Sequence, residues 1–295
     1  MFPLNRIADI QQNPSEFKLL EMLPAKHWTL PITLNQPNDG EVIKVAVVDI
    51  ESTGLDVNQD EVIEFGCVTA TINLKHGLVC TVEHMVSLFN EPKEPISALI
   101  TDITGITDDD VKGHKLTIEQ IYTAFDGVEL VIAHNAGFDR PMLDAHVARL
   151  GYPALSLPWA CSINDIPWRD LGYESKALSY LLNQQGYFFD GHRAGEDALA
   201  TINLLALEPR ALSHLITAYQ TPSYDLRVAS RFEAKDQLKS MGCKWDAENK
   251  QWHKLVSGDD DVINEAIAEL KTADMPGLIS VSPELISPVT RYANA

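Results

Sequence analysis

Asp49 and Glu51 stand two positions apart in VAVVDIESTGL (45–55), a stretch that otherwise has the composition of a buried strand. Successive side chains on an extended chain alternate faces, so the two carboxylates point the same way. Side by side they repel, and each raises the other's pKa. Burying two unpaired acids is costly, and the stretch holds no Lys or Arg to pair with them. A cation is the natural partner.

Two further polar clusters close apolar runs. AHNAGFD places His134, Asn135 and Asp139 just ahead of Pro141. GHRAGEDA places His192 in a glycine-flanked loop and Asp197 in the first turn of a following helix. Each has an ordinary structural use: Asp139 as a helix N-cap, Asp197 as a first-turn acid favoured by the helix dipole, His192 as an exposed loop residue. Taken with Asp49 and Glu51, they offer four carboxylates and an imidazole. Carboxylate oxygens suit hard divalent cations such as Mg²⁺ or Mn²⁺, and four acids can hold two ions. Two ions about 3.5–4 Å apart stabilise the attacking and leaving oxygens of a phosphoryl displacement. A histidine beside them can take the proton of an attacking water.

The elements that must position these groups follow from periodicity. Residues 6–22 read as a short amphipathic helix with Ile7, Ile10, Phe17, Leu20 and Met22 on its apolar side. Strands are expected at 43–50, 62–71 and 78–88, an antiparallel start with turns near NQDE and NLKHG. LTIEQIYTAFDG has helical spacing, VELVIA is a short buried strand, and a helix is expected to start near Pro141 and stop before Gly151. Further helices are expected at about 176–186 and 196–207. Strands first, then alternating helix and strand, indicate an α/β domain with a mixed sheet. A linker is expected near 219–225, then a second unit of helix, hairpin (CKWDAENKQWHKL) and helix, then a Pro- and Ser-rich tail expected to be poorly ordered.

At 295 residues the chain can build one sizeable core and a small second unit. Its formal net charge of −19 is unhelpful for gripping long nucleic acid by phosphate neutralisation. The charge is uneven. Residues 1–220 hold 14 Lys/Arg against 30 Asp/Glu, whereas 226–256 hold 7 against 4. The four cysteines are scattered without a C-x-x-C pair, which fits a reducing compartment, and Cys67, Cys80 and Cys161 sit in apolar surroundings as core thiols. No apolar run suggests a membrane span and the first residues lack a signal-peptide layout, so a cytoplasmic protein without membrane partners is expected.

The order D-x-E-x-T-G-L, H-N-A-x-F-D, H-R-A-x-x-D-A, supported by EVIEFGCV and ITGIT, resembles the DEDDh (DnaQ-like, RNase T-like) family of 3′–5′ exonucleases over about 43–207. The resemblance implies a ribonuclease H-like mixed five-stranded sheet flanked by helices. The small α+β C-terminal unit lies beyond it. The organisation is then 1–40, a helical extension; 41–220, the exonuclease domain; 226–275, a basic and aromatic module; and 276–295, the tail. It implies Asp49, Glu51, Asp139 and Asp197 as ligands of two Mg²⁺ or Mn²⁺ ions and His192 as general base. Thr53, Gly54 and Leu55 match the turn that holds the terminal nucleotide, Ile106 the part that packs on its base, and His134 and Asn135 open the second motif. The implied partner is the 3′ end of single-stranded DNA or RNA, the implied products are nucleoside 5′-monophosphates, and a homodimer is compatible with the family. Ser52 replaces the family's usual Thr, and Arg193 is the only basic residue near HRAGED.

The module interleaves Phe232, Trp245 and Trp252 with Arg231, Lys235, Lys239, Lys244, Lys250 and Lys254, a pattern able to stack bases while meeting phosphates. The tryptophans serve equally well as the core of a mini-domain. Two rivals to the exonuclease reading stand: a silent nucleic-acid-binding or docking protein that keeps the fold, and a two-metal hydrolase of small phosphates.

Overall fold

The computed structural model describes residues 4–247, 249–272 and 277–293. Three long strands, β3 (Val42–Ser52), β4 (Val62–Asn73) and β5 (Leu78–Phe89), form an antiparallel meander. They are preceded by α1 (Ile7–Gln12), β1 (Glu21–Met22) and β2 (Ile32–Thr33). Helices α2 (Ala98–Thr104), α3 (Asp108–Val111) and α4 (Ile118–Ala124) lead to β6 (Leu130–Ala133), α5 (Ala136–Arg149) and β7 (Trp159–Cys161). Then come α6 (Leu178–Gln184), β8 (Tyr187–Phe188), α7 (Ala194–Leu207) and α8 (Pro209–Gln220).

The main sheet has the order β2-β5-β4-β3-β6-β7, with β6 and β7 parallel to β3. This is the mixed, helix-flanked α/β sheet expected from the sequence. It has six strands where five were expected, because the two-residue β2 adds itself to the outer edge of β5. Both faces of the sheet are covered, so β3 and β4 read as nearly continuous apolar runs. Val45, Val47 and Val68 pack under α7 and α8 on one face. Ala46, Val48 and Ile50 pack against α4 and α5 on the other.

Three expectations are corrected. The helix of 6–22 stops at Gln12, since Pro14 opens a separate 3-10 turn and cannot continue the α-helical ladder. The chain beyond it pairs β1 with β8 in parallel, and Lys26 bonds Asp190 at 3.0 Å, tying the N-terminal extension to the loop before His192. No long linker spans 219–225: α8 runs to Gln220 and β9 (Ser223–Ser230) starts three residues later.

The third correction concerns the tail. Pro276 lies outside the described residues, but β12 (Leu278–Ile286) pairs along the whole of β9. With β10 (Lys244–Asp246) and β11 (Gln251–Ser257) it completes an antiparallel sheet of order β10-β11-β9-β12. Helices α9 (Lys235–Ser240) and α10 (Asp260–Thr272) cover one face over Leu226, Val228, Leu238, Trp252 and Leu270. Residues beyond β12 return to the large domain. Pro288 accepts from the Trp159 N–H on the free edge of β7, and the Arg140 guanidinium donates to the carbonyls of Val289 and Arg291. Asp165 receives Arg291 at 2.7 Å and the Tyr292 hydroxyl at 2.6 Å. Alternating Ser and Pro disguised a strand whose partner is a continuous β9. Among the described residues no helix is long and apolar enough to cross a membrane.

Candidate acidic site

The carboxylates meet at the carboxyl end of β3, where β3 and β6 run parallel, the usual place for a site in such a sheet. Asp49 and Glu51 share a face, opposite Gly66 and Glu64 of β4. One oxygen each from Asp49, Glu51 and Asp197 lies within 4.8 Å of the others. Asp197 reaches them because α7 sits unusually close to the sheet. A Cβ on Gly66 would fall 2.1 Å from the Ala194 carbonyl carbon, and one on Gly195 would fall 2.7 Å from Met85 Cε. Two glycines thus bring the first turn of α7 down on β4 and β5.

Asp139 arrives from the opposite face. The helix carrying it starts at Ala136, earlier than expected, so Asp139 lies in its first turn and Pro141 inside it. Its Oδ1 accepts the Ile50 N–H at 3.1 Å, a bond to a strand and not the N-cap bond considered from sequence. Asn135 precedes the helix at φ 125°, a strained backbone of the kind that persists where surrounding structure fixes it. His192 is exposed at φ 67° beside Asp197, whose Oδ2 accepts the Arg193 N–H at 2.9 Å.

Burial is the main cause that raises all four acids. Asp49 is pushed well up by burial and then by Asp139, Asp197, Glu51 and Glu64. Asp139 is raised by burial against the opposing bond from Ile50. Glu51 is pushed to about 8 by burial, Asp197 and Glu64, with Arg193 opposing. Asp197 is raised by burial, with the Arg193 N–H and His192 opposing. Such a set holds protons or a cation. Its oxygen-only donors and surplus negative charge fit one or more divalent metal ions.

The predicted substrate residues fare differently. Thr53 is locked in the turn: its Oγ1 donates to Asp60 at 3.0 Å and accepts the Glu61 N–H at 3.0 Å. Gly54 packs on Asp60, with no room for a Cβ (2.5 Å). Leu55 projects into solvent, 84% exposed. The Ile106 side chain turns inward. It is 1% exposed, inside a small core with Ile63, Ile96 and Val111, while Leu99 and Ile103 of α2 are the exposed apolar groups there. His134 is a structural pin: Nε2–H donates to the Lys176 carbonyl at 2.8 Å, and Nδ1 faces the Ser162 hydroxyl at 2.7 Å. Burial lowers it to about 4, so it stays neutral.

One participant escaped sequence reasoning. Glu64 appeared only within EVIEFGCV, yet its fully buried carboxylate faces Glu51 across the ladder and holds Arg193. A buried acid in a valine-rich strand, cross-strand from Glu51, was the available signal.

Fold and site together define a nuclease-type α/β domain with an acidic cluster at the carboxyl end of its central strand. The exonuclease family model (RNase_T) matches residues 46–205, just over half of the chain, and the chain belongs to that family. It is similar to the PolC-type DNA polymerase III of Streptococcus thermophilus, 30% identical over 180 residues, covering 60% of this chain and 12% of that protein. The Clostridium perfringens PolC-type enzyme is 26% identical over 238 residues, covering 79% of this chain and 16% of that protein. The chain therefore spans less than a fifth of either relative. Among solved structures it is similar to exonuclease X in complex with 5′ overhanging duplex DNA (22% identity, TM-score 0.43, 59% of this chain and 99% of that chain). The nuclease domain of 3′hExo, a DEDDh family member bound to rAMP, gives 18% identity and TM-score 0.44, covering 59% of this chain and 94% of that chain.

Proposed function

We propose that the chain is a metal-dependent 3′–5′ exonuclease that hydrolyses the terminal phosphodiester of single-stranded DNA or RNA and releases nucleoside 5′-monophosphates. The observation that carries the reading is the convergence of Asp49, Glu51 and Asp197 within 4.8 Å, beside Asp139 anchored on Ile50.

Asp49, Glu51, Asp139 and Asp197 would hold two Mg²⁺ or Mn²⁺ ions. When bound, these ions supply an activated water and neutralise charge on the phosphoryl oxygens. His192, exposed beside Asp197, takes the proton of the attacking water as its oxygen bonds to phosphorus. The bond to the 3′-oxygen of the penultimate nucleotide breaks, and that oxygen is protonated on departure. The 52–55 turn holds the terminal nucleotide, with Leu55 as its exposed apolar contact. The cations also offset the −19 net charge that otherwise opposes a phosphate chain.

The C-terminal module divides its aromatic residues between two uses. Trp252 is a core residue, whereas Phe232 is 81% and Trp245 50% exposed, with Lys235 over the Phe232 ring at 5.2 Å. These exposed rings and neighbouring lysines support a role in gripping single strands. The double substitution Phe232→Ala/Trp245→Ala, at exposed rings, should then raise the apparent KM on long strands; an unchanged KM counts against the grip.

The deciding experiment incubates a 5′-labelled single strand with Mg²⁺ or Mn²⁺, with wild type and with Asp49→Ala. A ladder shortening from the 3′ end and abolished by the substitution supports the exonuclease. No cleavage of DNA or RNA with either metal points to a silent binding protein.

A further inference from the structure

Among the described residues Glu64 is about as buried as any charged group, with its side chain 1% exposed, and none of the three motifs includes it. Its carboxylate is nevertheless fully used. Oε2 accepts Arg193 Nε at 3.0 Å and the Ala194 N–H at 3.1 Å. Oε1 accepts Arg193 Nη2 at 3.2 Å and the Ser87 hydroxyl. The guanidinium is fixed from a second side by the Phe89 ring at 5.2 Å.

These bonds act on a specific piece of chain. Arg193 is the N-cap of α7 and makes no side-chain capping bond of its own. Glu64 supplies that cap from another strand, by taking the free Ala194 N–H of the first turn. The residue just before Arg193 is His192, in the left-handed region, and four residues after it is Asp197, whose Oδ2 takes the Arg193 N–H. One buried carboxylate therefore grips the chain between the histidine and the acid. It also pairs with the Arg193 guanidinium, holding that cation on β4.

We propose that Glu64 is a positioning residue for the hydrolysis, acting through Arg193 and the Ala194 N–H to set His192 and Asp197 against Asp49 and Glu51. This rests on the exonuclease reading above. Glu64 does not touch substrate; its effect is on the geometry of groups that do. Displacing a reacting group by about 1 Å can cost about a hundredfold in rate, so the effect should fall on kcat.

The test compares wild type, Glu64→Gln, Glu64→Ala, Arg193→Ala and the Glu64→Ala/Arg193→Ala double variant in the full chain. Rates are measured on a 5′-labelled single strand with Mg²⁺, and the His192 imidazole resonances are followed by NMR. Glu64→Ala should lower kcat by about 10- to 100-fold with KM within about twofold. Glu64→Gln keeps an acceptor for Ala194 but loses the ion pair, and should fall between. The double variant should be no worse than Glu64→Ala, because both residues act by one route. Wild-type kcat and unmoved His192 resonances in both Glu64 variants overturn the proposal, and so do losses that multiply in the double variant. If Glu64→Ala does not fold, Glu64→Gln and Arg193→Ala carry the same comparison. If wild type cleaves nothing, the exonuclease reading fails, and the His192 resonances in Glu64→Gln still decide whether Glu64 sets that turn.

Discussion

The N–H of Ile50, between Asp49 and Glu51 on β3, donates to Oδ1 of Asp139 on α5 at 3.1 Å. A single backbone bond thus joins the first acidic motif to the second and fixes a carboxylate from the other face of the sheet. Asp139→Asn keeps an oxygen for that bond but removes the charge. It should fold with at least wild-type stability in EDTA, since a buried charge is costly, yet lose about 10²-fold or more in Mg²⁺-dependent cleavage. Thermal melts with and without metal, set beside the cleavage assay, check both halves.

Glu51, at about 8 against an ordinary 4.5, sets a pH dependence. Between those values the folded protein keeps a proton that the unfolded chain has lost. Stability from this group is full below 4.5 and is lost as pH rises through 8. Asp49, Asp139 and Asp197 act in the same direction. In EDTA, Tm should fall from about pH 5 to about pH 8.5, and Mg²⁺ should recover it most at the alkaline end, where protons no longer compete for the oxygens. Glu51→Gln should flatten the profile; a Tm that rises with pH in EDTA would contradict the raised carboxylates.

Gly66→Ala should be severe. Its Cβ would meet the backbone of Ala194 at 2.1 Å, so α7 must lift from β4 and carry Asp197 away. A loss of about 3 kcal/mol or more is expected, with cleavage abolished. Gly195→Ala meets side chains and not backbone, the flexible end of Met85 at 2.7 Å and Ser87 Cβ at 3.0 Å, and should cost less, about 1–2 kcal/mol. Urea unfolding of the two variants ranks them.

His134→Ala removes two internal hydrogen bonds from a neutral ring. It should cost about 1–3 kcal/mol at pH 8 and less at pH 6, because the ring is lowered to about 4 in the fold while the unfolded chain's imidazole, at an ordinary 6.5, takes up a proton there and has already weakened the wild type. A substrate-binding role would show instead as a raised KM with unchanged stability.

Arg140 is 3% exposed and bridges α5 to the returning residues 287–292. Arg140→Ala should cost about 3 kcal/mol, strand the Asp144 carboxylate, and expose 287–293 to proteolysis before the rest of the chain. Peptide mapping of early cleavage sites tests this.

The sequence by itself determined that Asp49 and Glu51 share a face, because the period of a strand is two and needs no partner to define it. It also fixed the order of the three motifs and the helix-flanked α/β class. What it could not carry was register and return. Glu64 meets Arg193, and Arg140 meets Val289, through contacts between residues more than a hundred positions apart. The resemblance matches the region around Ile106 to a base-packing part, but the local pattern does not say which of Ile103 and Ile106 turns inward; packing with Ile63 and Val111 decides that. The tail looked unstructured because its Ser and Pro residues form a strand only beside β9. Local chemistry is written in spacing, whereas close approach, such as α7 on Gly66, exists only once two distant segments occupy one place.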